Sequence, residues 1–253
     1  MELSIINLLW VMIPTFLAAF LHSLTGFGFS IVIMMFLPLV FSIGQSAAFA
    51  HCLLFVIALS ILYNYRKSVN LKLLLLPLIF YFPIFFVALT FALRVQADFL
   101  KPALGITFLG IAVFYIFLSD RFTLHANVPT ALICTALNAI VDAFFGIGGP
   151  FIAIYLLAIT KTKEEYLSTL QAYFMISATY SVIMRIIKQQ ITPSMIPLIV
   201  AGVFALLIGF YLGNKVVYRL DGQTMKKIVY VFIGVVGVIT FISSLPMLFA
   251  VIL

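Results

Sequence analysis

The sequence predicts an all-α polytopic membrane protein made of two homologous halves in inverted topology, each with an interrupted, glycine-rich segment. Three observations lead there. Only 8% of the 253 residues are charged and 65% are hydrophobic, with a mean hydropathy of +1.30, whereas a soluble domain carries about 25% charged residues. The apolar residues are gathered into runs of the length that crosses a bilayer, and no polar stretch exceeds a short loop. Two of those runs are interrupted by glycines 120 positions apart.

The interruptions are Leu24-Thr-Gly-Phe-Gly-Phe-Ser30 and Asp142-Ala-Phe-Phe-Gly-Ile-Gly-Gly-Pro150, so Gly26 and Gly28 precede Gly146 and Gly148 by one interval. Three glycines and a proline within five residues disfavour a continuous helix. In lipid, a freed backbone group must be satisfied by protein or by water in a cavity. Paired breaks at matching places in two halves point to a transporter's binding site. Close helix packing through small residues is the plainer alternative for a single glycine.

Ten apolar segments follow one another. The first, residues 3–21, contains Pro14; Glu2 is the only charge before His22, so the run reads as a retained membrane segment rather than a cleaved signal. The second, 27–43, begins at the first break, and the third covers 46–63. A basic loop, 64–72, leads to the fourth segment, 73–93, which Pro77 and Pro83 can kink. The fifth is 102–118. The sixth, 129–141, and the seventh, 151–159, flank the second break. The seventh is too short to span alone and reads as a half-helix. A charged loop precedes the eighth, 166–184; the ninth is 193–217 and the tenth 228–253.

The order of breaks, prolines and glycines repeats. Pro77-Leu-Ile79 matches Pro197-Leu-Ile199 at the same interval, and Phe108, Gly110, Phe117 and Ser119 match Phe232, Gly234, Phe241 and Ser243 at a slightly longer one. The expected organisation is an N-terminal repeat over 1–120, a connector over 121–128 and a C-terminal repeat over 129–253. Five segments per half is an odd number, so the halves would be inverted. With strict alternation, Arg66, Lys67, Lys72, Arg121, Lys161, Lys163, Lys215, Arg219, Lys226 and Lys227 share one side, and Arg94, Lys101, Arg185 and Lys188 the other. The richer side should be cytoplasmic. The net charge of +7 is then loop charge, with no call for nucleic acid.

All fourteen Lys and Arg fall in loops or at segment ends. A small anionic substrate would therefore rest on backbone N–H groups at half-helix N-termini, aided by the helix dipole. The candidate binding residues are Thr25, Gly26, Phe27, Gly28 and Ser30 at the first break and Gly146, Ile147, Gly148 and Gly149 at the second, with Asn138 as a side-chain donor. The hydroxyls have local bonding to helix carbonyls as their alternative. Asp142, at the mouth of the second break, is the carboxylate placed for proton coupling; capping of the following turn is its other reading. His51 and Gln171 stand at equivalent places in the two halves and could line a central path, although a membrane histidine is often only a buried hydrogen-bonding residue. Arg66 and Arg185 read as interfacial anchors. Cys52 and Cys134 lie in apolar runs without CxxC spacing and read as packing residues. No metal or cofactor is called for, and HExxH, GxSxG, P-loop and DxD motifs are missing from the sequence.

Gly146-Ile-Gly-Gly-Pro150, the apolar run after it, and then Lys163-Glu-Glu-Tyr166 and Thr169-Leu-Gln-Ala-Tyr-Phe174 resemble the sulfite exporter TauE/SafE family of permeases. Thr25-Gly-Phe-Gly-Phe29 and Tyr65-Arg-Lys67 resemble that family's first half, so the likeness covers nearly the whole chain. It implies a duplicated helical permease in a bacterial or archaeal plasma membrane, carrying sulfite, organosulfonates or related small acids. Phe27 and Phe29 stand where a fuller glycine cluster is common, and Asp142 where a small residue is expected. The rival classes are a membrane-embedded enzyme using Asp142 and His51, a structural subunit, and a permease for non-sulfur organic acids. Oligomeric state is not legible. Because an anion leaves a negative cell interior unaided, facilitated export is the expected direction.

The charge bias generates a test. Cysteine labelling or reporter fusions are expected to place Lys67, Lys163 and Lys226 all on the inner face; Lys67 and Lys226 on opposite faces would break the inverted arrangement.

Overall fold

The structure, a computed structural model, describes residues 5–114 and 127–217 together with the helical positions Val238 and Ile242. The connector up to residue 126, the tenth segment (228–253), Lys226 and the correspondences in 232–243 lie outside the described residues. Among the described residues all regular structure is helical. Helix α1 (Ile5–Thr25) runs through Pro14 and stops where Gly26 and Gly28 take positive φ of 77° and 95°, a backbone region that favours glycine. Helix α2 (Phe29–Phe36) follows at once and ends in a 3-10 turn, Leu37–Leu39, around Pro38.

Helix α3 (Ile43–Tyr65) starts three residues earlier than the apolar run suggests, because Ser42 and Gln45 form a capping box. Helix α4 (Lys72–Ala92) contains both Pro77 and Pro83, and α5 (Ala97–Val113) contains Pro102. Helix α6 (Val128–Phe145) is capped by Asn127, whose side chain accepts from the Thr130 N–H, and it ends at Gly146 with φ 66°. Helix α7 (Pro150–Ile159) has only 10 residues. Helix α8 (Lys163–Ile187) is capped by Thr162, and Glu164 and Glu165 in its first turn suit the positive end of the dipole. Helix α9 is Ile196–Val217.

Six of these helices are long and apolar enough to cross a membrane: α1, α3 with its 3-10 extension, α4, α6, α8 and α9. The chain is thus a multi-pass membrane protein, with α2 and α7 as shorter apolar helices between the spans. Large apolar side chains recur on the outer faces, such as Ile5, Leu9 and Ile13 on α1 and Ile196, Val200, Phe204 and Ile208 on α9. Repeats of this kind along outward helix faces suit lipid rather than water.

The interior is comparatively polar. Thr15, His22, His51, Thr135, Asn138, Asp142, Gln171, Ser181 and Arg185 are all buried. Arg185 overturns the expectation that every cation sits in a loop or anchors at the interface, since its side chain is wholly enclosed. Helices α3 and α8 pack together at the centre, α1 packs mainly on α9, and α4 mainly on α6. Exchanging α1 with α6, α3 with α8 and α4 with α9 leaves this pattern of neighbours unchanged.

The α1–α9 contact is close because α9 offers glycines. A Cβ on Gly209 would overlap the carbonyl of Phe16, and one on Gly213 would overlap the Ser23 hydroxyl. Small residues permit this approach where lipid provides no hydrophobic drive between helices. Gly209→Val is therefore expected to lower the thermal midpoint in detergent, by a destabilisation of about 1–3 kcal/mol from overpacking. Gly110→Ala, with nothing within 4 Å of the added methyl, serves as the silent control.

Candidate functional site

The two breaks meet. A cavity of about 10 Å³ lies between them, walled by Gly28, Phe29 and Ser30 from one and Ile147, Gly148 and Gly149 from the other, with His22 and Phe174 at the sides. That is about the room one water needs. The wall is made by the first turns of α2 and α7. The first N–H groups of a helix have no intrahelical acceptor. Here the α-helical bonding recorded at the two starts begins with Val32 N–H to Gly28 O and Ala153 N–H to Gly149 O. The Phe29 N–H reaches only His22 Nδ1, at 3.4 Å. Ser30 lines the same cavity, and its buried hydroxyl has no hydrogen-bond partner.

Each break is held by a residue one turn before it, bonded to a helix of the central α3–α8 pair. On one side His22 of α1 lies 3.4 Å from Gln171 Oε1 of α8, and Gln171 Nε2–H donates to Gly26 O at 2.8 Å. On the other, Asp142 of α6 lies 2.9 Å from His51 Nε2 of α3. The interval of 120 relates His22 to Asp142 and His51 to Gln171. It also relates two close approaches: a Cβ on Gly26 would meet Leu167 at 2.8 Å, and one on Gly146 would meet Ala47 at 2.9 Å. The N–H of Gly26 returns to His22 O at 2.8 Å, and that of Gly146 to Asp142 O at 2.7 Å.

The partners fix where protons sit. His22 Nδ1 faces a donor, the Phe29 N–H, so Nε2 carries the hydrogen and donates to Gln171 Oε1. His22 is a neutral imidazole in one tautomer. His51 differs. Its Nδ1 lies 2.8 Å from Ala47 O, an acceptor, so Nδ1 carries a hydrogen. Its Nε2 faces Asp142 Oδ1 at 2.9 Å, a contact that is a hydrogen bond when a proton stands between the two atoms. Tyr81 O–H donates to the other oxygen, Oδ2, at 2.6 Å. The Asp142 carboxyl is thus engaged by α3 and α4 and does not cap the turn after α6; Gly146 closes that helix.

Arg185 of α8 finishes the cluster. Its guanidinium donates to Asp142 O at 3.2 Å and Ala143 O at 2.9 Å, to Ser181 Oγ at 3.2 Å and to Gln190 Oε1 at 2.6 Å. It therefore binds carbonyls in the last turn of α6, where a helix carries partial negative charge.

Of the residues singled out in the sequence, Gly28, Ser30, Ile147, Gly148 and Gly149 wall the cavity. Gly26 and Gly146 make the turns. Phe27 is buried at the first break, near Gly149. Thr25 donates its hydroxyl to Phe27 O at 2.5 Å and is also 3.1 Å from Leu21 O, so it serves its own turn. Asn138 Nδ2–H donates to Tyr173 O–H at 3.1 Å, while its Oδ1 is buried without a partner. His51 and Gln171 do not face one another as a pair; each bonds across to the opposite break. His22, Tyr81 and Arg185 were not foreseen. The repeat interval would have found His22, as the counterpart of Asp142.

Arg185→Met is expected to destabilise the protein by about 3 kcal/mol, the order of buried charge-assisted hydrogen bonds left unmade. Arg185→Lys should recover only part of this, since an ammonium lacks the planar fork; thermal unfolding in detergent measures both.

The sequence matches the family described as Sulfite exporter TauE/SafE over residues 11–240. No curated protein and no solved structure matches it.

Proposed function

The chain belongs to the sulfite exporter TauE/SafE family, and from that premise we propose that it is a secondary transporter whose substrate anion binds between the two helix breaks, which part to admit it because the cavity of about 10 Å³ has room for about one water. The family is one of membrane permeases for sulfur-containing anions, and sulfite or a small organosulfonate is the substrate class proposed here. The carrying observation is the convergence of two helix starts on one cavity beside the unpartnered hydroxyl of Ser30. Helix N-termini attract anions through free N–H groups and the dipole. Gly28, Gly148 and Gly149 let the backbone come close, and Ser30 adds a hydroxyl donor. Gly26, Gly146, Thr25 and Phe27 shape the turns, while Gln171, His51 and Asn138 hold the surrounding helices in register.

The exchange of neighbours between α1 and α6, α3 and α8, and α4 and α9 supports two homologous halves, with repeats over 1–120 and 129–253 joined by 121–128. The basic bias supports their inversion, and family membership is the ground for proposing a bacterial or archaeal plasma membrane as the setting. Direction depends on what crosses with the anion. Alone, it follows the membrane potential outward, with a drive of about 2.3 kcal/mol per charge per 100 mV.

Purified protein should be stabilised against heat by sulfite or methanesulfonate more than by acetate, and proteoliposomes should show flux of the stabilising anion. Ser30→Ala tests the site itself. The hydroxyl bonds nothing in the protein, so stability should hardly change. A hydrogen bond to a charged ligand contributes about 1.5–3 kcal/mol, so affinity should fall roughly ten- to a hundred-fold. Unchanged affinity would move the anion elsewhere.

A further inference from the structure

We infer that the His51–Asp142 pair is a proton-binding site whose proton is taken up with the anion and crosses with it. The inference rests on the anion site proposed between the breaks. Three features of the geometry carry it. First, the pair needs a proton to hold together. His51 Nδ1–H is committed to Ala47 O and Tyr81 O–H to Asp142 Oδ2, which leaves Nε2 and Oδ1 facing each other at 2.9 Å. With one proton between them the contact is a hydrogen bond; without it, a lone pair meets a carboxylate.

Second, that proton sets the charge of the enclosure. The titratable and charged groups around the pair are Tyr81 from α4, whose ring lies against Tyr173 of α8 at 5.7 Å, Arg185 from α8, and Cys52 beside His51 on α3. The phenols and the thiol are neutral as hydrogen-bonding or packing groups, and Arg185 is cationic. With the proton in place the pair is neutral overall and the cluster carries one positive charge. With the proton gone the cluster is neutral.

Third, the pair shares a wall with the cavity. A Cβ on Gly148 would overlap the carboxyl carbon and both oxygens of Asp142, and Gly148 also lines the cavity. An anion in the cavity therefore sits one glycine away from the carboxyl, and it favours the protonated, positive cluster over the neutral one. Binding draws a proton from the water onto Nε2–Oδ1, and release of the anion returns it. Asn138 and Thr135 lie on the same face of α6, one and two turns from Asp142, each with a buried, unpartnered oxygen. They offer waters a line from the pair toward the start of that helix. A monoanion then moves with no net charge, and an inward proton gradient drives its uptake.

The experiment measures methanesulfonate and thiosulfate binding to the purified full chain by calorimetry, since neither anion titrates near neutral pH. Repeating it in two buffers of different ionisation enthalpy counts the protons. The expected result is close to one proton taken up per anion, with affinity falling about tenfold per pH unit on the alkaline side. In Asp142→Asn and His51→Gln that slope should vanish, whatever the affinity that remains. His22 also lines the cavity, so His22→Gln should keep the proton uptake that Asp142→Asn and His51→Gln lose. Binding with no proton uptake and a flat wild-type pH profile would overturn the inference, even if a variant fails to fold, and leave the anion site standing; so would uptake that only His22→Gln abolishes. No binding of either anion or of sulfite would remove both.

Discussion

A backbone broken in the middle of a membrane has to be satisfied from within the protein, and this constraint organises the molecule. Bulk water does not reach the hydrocarbon core, and a lipid-facing break would strand its N–H and C=O groups. Both breaks are accordingly placed against the central α3–α8 pair. Each is tied by a residue one turn upstream to one helix of that pair: His22 to Gln171 of α8, and Asp142 to His51 of α3. The glycines serve this arrangement twice. They turn the chain at positive φ, and at Gly26 and Gly146 they let the turn press against α8 and α3, where even a methyl group would collide.

The same constraint inverts the usual distribution of side chains. The outer faces of α1 and α9 carry large apolar side chains, and Thr15 and His22 of α1 are turned inward. Buried polar groups are costly unless bonded, and most here are bonded. The exceptions are informative. Among the described residues they are Thr15, Ser30, Ser46, Thr135 and Asn138 Oδ1; Ser30 looks into the cavity between the breaks, and Thr135 and Asn138 lie along one face of α6. In a native interior an unpaired buried oxygen asks for a water or a ligand.

Much of the fold was legible in the sequence because its signals are local. Apolar runs located the spans and glycines with a proline marked the second break, while the capping box Ser42-Ile-Gly-Gln45, just as local, went unread because it lies outside the apolar run. The site was legible only in part, because its bonds join residues far apart in the chain. Arg185 near the end of an apolar run looks the same whether it reaches for the interface or folds back onto the carbonyls of α6. Tyr81 sits among aromatic residues with nothing to distinguish it. Asp142 and His51 were both singled out, but not their hydrogen bond, since they lie 91 residues apart. The interval that related His51 to Gln171, applied to Asp142 as well, would have added His22 to the set.

Within that set the two halves are alike in framework and unlike in chemistry. Both crossing contacts use one histidine and one side-chain oxygen. On the His22 side the oxygen is an amide and the ring accepts from a backbone N–H, so a single neutral arrangement satisfies every partner. On the His51 side the oxygen belongs to a carboxyl and the ring donates to a carbonyl, so the contact stands or falls with a proton. The cation that would balance a lost proton, Arg185, is present on this side, and Tyr65 holds the equivalent position in the other half. Two similar contacts hold two similar breaks; Asp142 stands 120 positions after His22 and His51 120 before Gln171, and the carboxyl makes its contact ionisable where the amide does not. The other holder has no titration left to make without losing one of its bonds, so it fixes its break in place while the first can respond to what occupies the cavity.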